Sequence, residues 1–120
     1  MSAALADALR AAGFPGVERE AGLVHARLSA LDGEFTAEEA GGAWVLVLSR
    51  PVRASEAQLA GWQASHPDTP LDIHRGETRL VLRLAVGDAA GLHRWAALAE
   101  AAVLACNGWR RGQRAGGEGM

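Results

Sequence analysis

Three features of the chain predict an α+β domain, with an antiparallel sheet of about five strands and three helices in the order α-β-β-β-α-β-β-α. Apolar residues recur at helical spacing near both ends and once in the middle. Between those segments they alternate with polar residues at a period of two, and glycine-containing pairs punctuate the alternation as hairpin turns. No internal repeat or interdomain linker interrupts this order, so residues 1–111 read as one domain and the glycine-rich stretch 112–120 as a flexible tail.

The first helix spans residues 2–12. Ser2 is placed to cap it, Leu5, Ala8, Leu9 and Ala12 form one stripe, and Gly13 with Pro15 ends it. In VEREAGLVHARLSA, the pair Ala21-Gly22 turns the chain into a half-buried strand: Leu23, His25 and Arg27 alternate with Val24, Ala26 and Leu28. Asp32-Gly33 and Gly41-Gly42 are hairpin signals on either side of a short strand around Phe35 and Ala37. The strand from Ala43 to Ser49 is apolar on both faces, with Trp44, Leu46 and Leu48 on one and Val45 and Val47 on the other; Pro51 closes it.

The period then changes. Ser55 and Gln58 have capping-box spacing, Leu59, Trp62 and His66 share a face, and Pro67 stops the helix. After Pro70 a second hairpin turns Leu71, Ile73, Leu80, Leu82, Leu84 and Val86 toward the core and Arg79, Val81 and Arg83 away from it. Asp88 caps the last helix. Its central run WAALAEAAVLACNGW, residues 95–109, has one ionisable acid, Glu100. Leu92, Trp95, Leu98, Ala99, Ala102, Val103, Cys106 and Trp109 cover the arc expected to face the sheet. The opposite side holds Ala97, Ala101, Leu104 and Ala105, where a charged face is the norm. Alanine there is either helix filler or part of a second contact, and Leu104 argues for the contact.

Composition narrows the function classes. With 49% apolar and 22% charged residues the chain is not a disordered one, and its net charge of −2 gives no basic surface for nucleic acid. All twelve basic residues are arginine. The apolar run is too short for a membrane span and is broken by Glu100. MSAALADALRAAG, with Asp7 and Arg10 inside its apolar stretch, does not read as a signal peptide. The single cysteine, Cys106, excludes an intrachain disulfide and reads as a small buried hydrophobe, so a reducing, cytoplasmic location is expected.

No catalytic or metal-ligating pattern stands out. His25, His66, His74 and His93 lack ligand spacing, there is no phosphate-binding glycine loop, and no nucleophile elbow occurs. Glu34, Glu38 and Glu39 cluster around a hairpin and read as solvated turn charges. No metal, no cofactor and no enzymatic activity are therefore expected. What remains is a surface: Val45, Val47 and Val81 beside Arg27, Arg79 and Arg83 on the outward sheet face. That strip is either a dock for an extended or helical partner segment or a seat for one of the chain's own helices. A small-molecule site between sheet and helices would have His25 and Arg27 as its only polar candidates.

AWVLVLSRPV followed by a short helix, and ETRLVLRLAVGDAAGLHRWAALAEAAVLACNGWRR at the end, give the chain a family likeness. With the element order, they resemble the class I type III secretion chaperones and the YbjN-like proteins that share their fold, over Leu5 to Arg111. The resemblance implies a cytoplasmic, non-enzymatic homodimer that holds a segment of a client protein. It also implies dimerisation through the middle helix, at Leu59 and Trp62, whereas the apolar surplus of the last helix points to Ala97, Ala101 and Leu104. A YbjN-like accessory role without a secreted client is the second expectation.

Overall fold

The computed structural model describes residues 2–29 and 33–118, with side chains over 3–29 and 33–113. The elements are α1 (Ser2–Ala11), β1 (Glu18–Glu20), β2 (Leu23–Arg27), β3 (Glu34–Ala40), β4 (Ala43–Arg50), α2 (Glu56–Ser65), β5 (Leu71–His74), β6 (Glu77–Ala85) and α3 (Ala89–Glu118). The six strands form one antiparallel sheet in the order β1-β2-β3-β4-β6-β5. The fold is α+β as expected, with one strand more than the five anticipated. The extra strand is β1, whose three residues Glu18, Arg19 and Glu20 are all exposed. It carries no apolar alternation, so only pairing with β2 makes it a strand.

Two-residue turns join three of the hairpins. Ala21 and Gly22 have φ of 51° and 85°, Gly41 and Gly42 of 60° and 77°, and Arg75 and Gly76 of 54° and 80°. Both central residues are left-handed in each, the type I′ geometry whose twist matches the flanking strands. At the β2–β3 connection Gly33 is described, whereas Asp32, the first half of the expected Asp32-Gly33 turn, lies outside the described residues.

Alternation sorts the sheet into two faces. Val24, Ala26, Phe35, Ala37, Trp44, Leu46, Leu48, Leu71, Leu80, Leu82 and Leu84 join one buried cluster with Leu5 and Leu9 of α1, Trp62 of α2, and Leu92, Trp95, Ala99, Ala102 and Val103 of α3. All three helices thus lie on the same side of the sheet. Trp95, fully buried, meets the edge of Phe35 at 5.4 Å, and Phe35 meets Phe14 at 5.2 Å, which ties α3, β3 and the exit of α1 together. The arc expected to face the sheet does so. Of the residues expected to face the core from the second hairpin, Ile73 is half-buried outside the cluster, and Val86, beyond the last residue of β6 where alternation no longer governs, is 48% exposed.

Helix ends follow the expected chemistry. The Ser55 hydroxyl accepts from the Gln58 amide at 3.1 Å, and the Ser55 amide donates to the Gln58 side chain at 2.8 Å. The Asp88 carboxylate accepts from the Gly91 amide at 2.9 Å at the start of α3. The backbone of α3 includes residues 112–118 of the glycine-rich segment.

Candidate interaction face

The side of the sheet away from the helices carries the six residues expected to meet a partner. Val47 and Val81 are half-buried and contribute nothing to the core cluster; Val45 is more covered, between its cross-strand neighbours Glu38 and Arg83. No helix of the described residues lies over these valines, so the face is open. That settles one of the two alternatives: the strip is not a seat for the chain's own helix.

Strand register arranges this face in rows. One runs Glu18, His25, Thr36, Val47, Val81 across β1, β2, β3, β4 and β6. Two residues along β4, Glu38, Val45 and Arg83 lie side by side. Two residues the other way, Arg27 pairs with Glu34, and Ser49 stands beside Arg79, which stands beside Asp72. Glu34 and Ser49 both border a depression of 440 Å³ between β3 and β4, which His25, Thr36, Val47 and Pro51 also line.

The arginines of the strip are not equivalent. Arg79 makes a two-pronged contact to Asp72 at 2.8 and 3.1 Å, and that hydrogen-bonded carboxylate raises its pKa. Arg27 lies 3.3 Å from Glu34 with both side chains largely in water, where an ion pair contributes little. Arg83 is exposed, with Val45 between it and Glu38.

The residues expected at a dimer contact are separated by the fold. Trp62 is buried in its own core, and its indole donates to the Thr69 carbonyl at 2.7 Å while His66 stacks on it at 3.8 Å. Leu59 is half-buried beside the same cluster. Such a tryptophan is committed within the chain. Leu104 is 59% exposed on the back of α3, beside exposed Ala97, whereas Ala101 and Ala105, expected on that same side, are half-buried and pack against the core cluster. The segment 95–109 is thus covered on its sheet side only.

The remaining chemistry is sparse. His25 and Arg27 lie on the open face, so they border no space between sheet and helices. Among the described residues two recesses lie beside the helices: one of 190 Å³ between α1, Trp44 and the start of α3, below the size usual for ligand sites, and a half-open one of 440 Å³ where Leu82, Arg94 and Leu98 meet the loop 66–69. Among the described residues no three His, Cys, Asp or Glu side chains cluster to hold a metal ion, and no helix is long and apolar enough to cross a membrane. Cys106 is buried, which pushes its thiol pKa up to about 11 against the partial opposition of Arg50. Such a thiol is a poor nucleophile at neutral pH.

Sequence reasoning found the open strip through period-two alternation. It missed the charge order across the strands, because that order depends on register and on β6 lying beside β4. In comparisons with known proteins, no family model, no curated protein and no solved structure matches this chain.

Proposed function

We propose that this protein is a non-enzymatic protein-binding module that receives its partner on the open sheet face. The observation that carries this reading is the strip of buried Val45 and half-buried Val47 and Val81, over which none of the described helices lies, flanked by Arg79 and Arg83 and by the acids of β3. One face of the sheet is built as a packed core, and the other carries a narrow, partly covered valine strip with charges at its margins, the layout of a surface that reads another chain. The partner contemplated is an extended or helical segment of a client protein, in the manner of the secretion chaperones and YbjN-like proteins that the sequence resembles. Cytoplasmic residence and homodimer formation belong to the same reading. The back of α3 is the smaller alternative contact, since Leu104 is its one large exposed apolar side chain.

Capture experiments with Val47→Glu and Leu104→Glu variants test the reading. A charge on the strip should abolish retention of a partner that wild type and Leu104→Glu both hold. Retention by Val47→Glu as strong as by wild type would remove the open face from the function.

A further inference from the structure

The charges that β2, β3, β6 and β5 carry in the two outer rows of the open face are antisymmetric about β4, Glu18 and Glu20 of the edge strand β1 lying outside the pattern, and from this we infer that the face docks on a second copy of itself. The inference rests on the reading of that face as a protein-binding surface and puts a second copy, in place of a client segment, as the chain that covers it in the free protein. Consider two sheets laid face to face and related by a two-fold axis parallel to β4. Every row then lies over its own mirror order, with β3 above β6 and β2 above β5. In the row of Glu38, Val45 and Arg83, each Arg83 meets the other copy's Glu38 while Val45 meets Val45. In the row that begins at Arg27 and Glu34 and continues at Ser49, Arg79 and Asp72, Arg79 comes over Glu34 and Asp72 over Arg27. The middle row brings Val47 to Val47 and Val81 to Thr36. Each charged contact occurs twice, as an isologous interface requires.

The other in-plane axis, perpendicular to the strands, fails the same comparison. It exchanges the outer rows and sets Glu38 against Glu34 and Arg83 against Arg79, like charge on like. The pattern therefore selects one arrangement out of two. The ion pairs within each copy, Arg27 with Glu34 and Arg79 with Asp72, become halves of alternating four-charge clusters. Aligned sheets pack about 10 Å apart with a rotation of about 30°, which displaces the outer strands more than the neighbours of β4. The Glu38–Arg83 pair, next to the axis, is thus the contact that tolerates least change.

Little apolar surface is left to bury here, because Val45 is already 9% exposed and Val47 and Val81 are half-covered. Charge pairing then governs the association, and screening weakens it as the Debye length falls from about 30 Å at 0.01 M salt to about 3 Å at 1 M. An α3-mediated contact through Leu104 would show no such loss.

Sedimentation equilibrium at both salt levels tests this, with Glu38→Arg, Arg83→Glu, the double swap and Leu104→Glu beside wild type. Glu38 and Arg83 are exposed, so the variants should fold, and circular dichroism checks that they do. The expected result is a wild-type dimer at low salt that dissociates at high salt. Each single reversal should weaken it at least about tenfold, the double swap should restore it, and Leu104→Glu should leave it intact. Single reversals without effect, or a double swap no tighter than either single, would overturn the arrangement. So would a wild type that is monomeric at low salt; loss of partner capture by Val47→Glu would then still stand for the binding surface itself, with a different occupant.

Discussion

Thr78 is the one buried polar side chain among the described residues, 1% exposed, and it holds the crossing from β4 to α2 in place. Its hydroxyl donates to the Val52 carbonyl at 2.7 Å and accepts from the Ala54 amide at 3.0 Å, while its own amide donates to Val52 at 2.9 Å. Thr78→Val keeps the shape and deletes the hydroxyl, leaving the Ala54 N–H without its acceptor in a buried site. The expected loss is about 1–3 kcal/mol in urea denaturation, with Thr78→Ser milder because the hydroxyl survives. A Val variant as stable as Ser would show that the crossing is held by packing alone. The sequence offered no hint of this role: a threonine in a strand is ordinary by propensity, and its partners lie 24 and 26 residues away. Trp62 was legible as a large apolar residue on a helix face. Whether that face met its own sheet or another molecule was not legible, because periodicity gives a direction and not a destination.

At the scale of elements, turns and caps were the most legible parts, since their chemistry is local. The Ser55–Gln58 box and the Asp88 cap need only residues three apart. Strand β1 lay beyond such reading, because its exposed Glu-Arg-Glu is strand-like only once β2 supplies hydrogen bonds. Two of the three type I′ turns carry a strained residue: Ala21 and Arg75 adopt φ of 51° and 54°, where a Cβ crowds the backbone. Asparagine tolerates that region better, so Ala21→Asn and Arg75→Asn should each stabilise the fold by a few tenths to about 1 kcal/mol. Gly41→Ala, at φ 60°, should act in the opposite sense. Thermal unfolding reads both; a lower midpoint for the asparagine variants would mean that the turns are held by contacts other than their own geometry.

For the molecule as a whole, the alkaline edge of stability should report a single side chain. The chain has no lysine and no tyrosine, and its twelve basic residues are arginines that stay charged at any pH the fold survives. Above the range of the α-amino group, Cys106 is therefore the side chain left to titrate. Burial against the sheet raises its pKa from the ordinary 9.0 to about 11, with Arg50 pulling the other way. The folded state thus holds its proton more tightly than the unfolded chain does. Below pH 9 both states carry the proton and the stabilisation is fully present; between about 9 and about 11 the unfolded chain loses its proton first and stability falls. The loss is on the order of 2 kcal/mol by linkage. Cys106→Ala removes the titration, at the cost of a small cavity that lowers stability equally at every pH. Denaturant midpoints from pH 8 to 11 should then slope downward for wild type and stay nearly level for the variant. Parallel slopes would place the alkaline sensitivity elsewhere, and thiol titration of the folded protein near pH 9 would show that the core admits water at Cys106. A flat variant curve would instead confirm that α3 seals its inner side as tightly as its arc of Trp95, Ala99, Ala102 and Val103 requires.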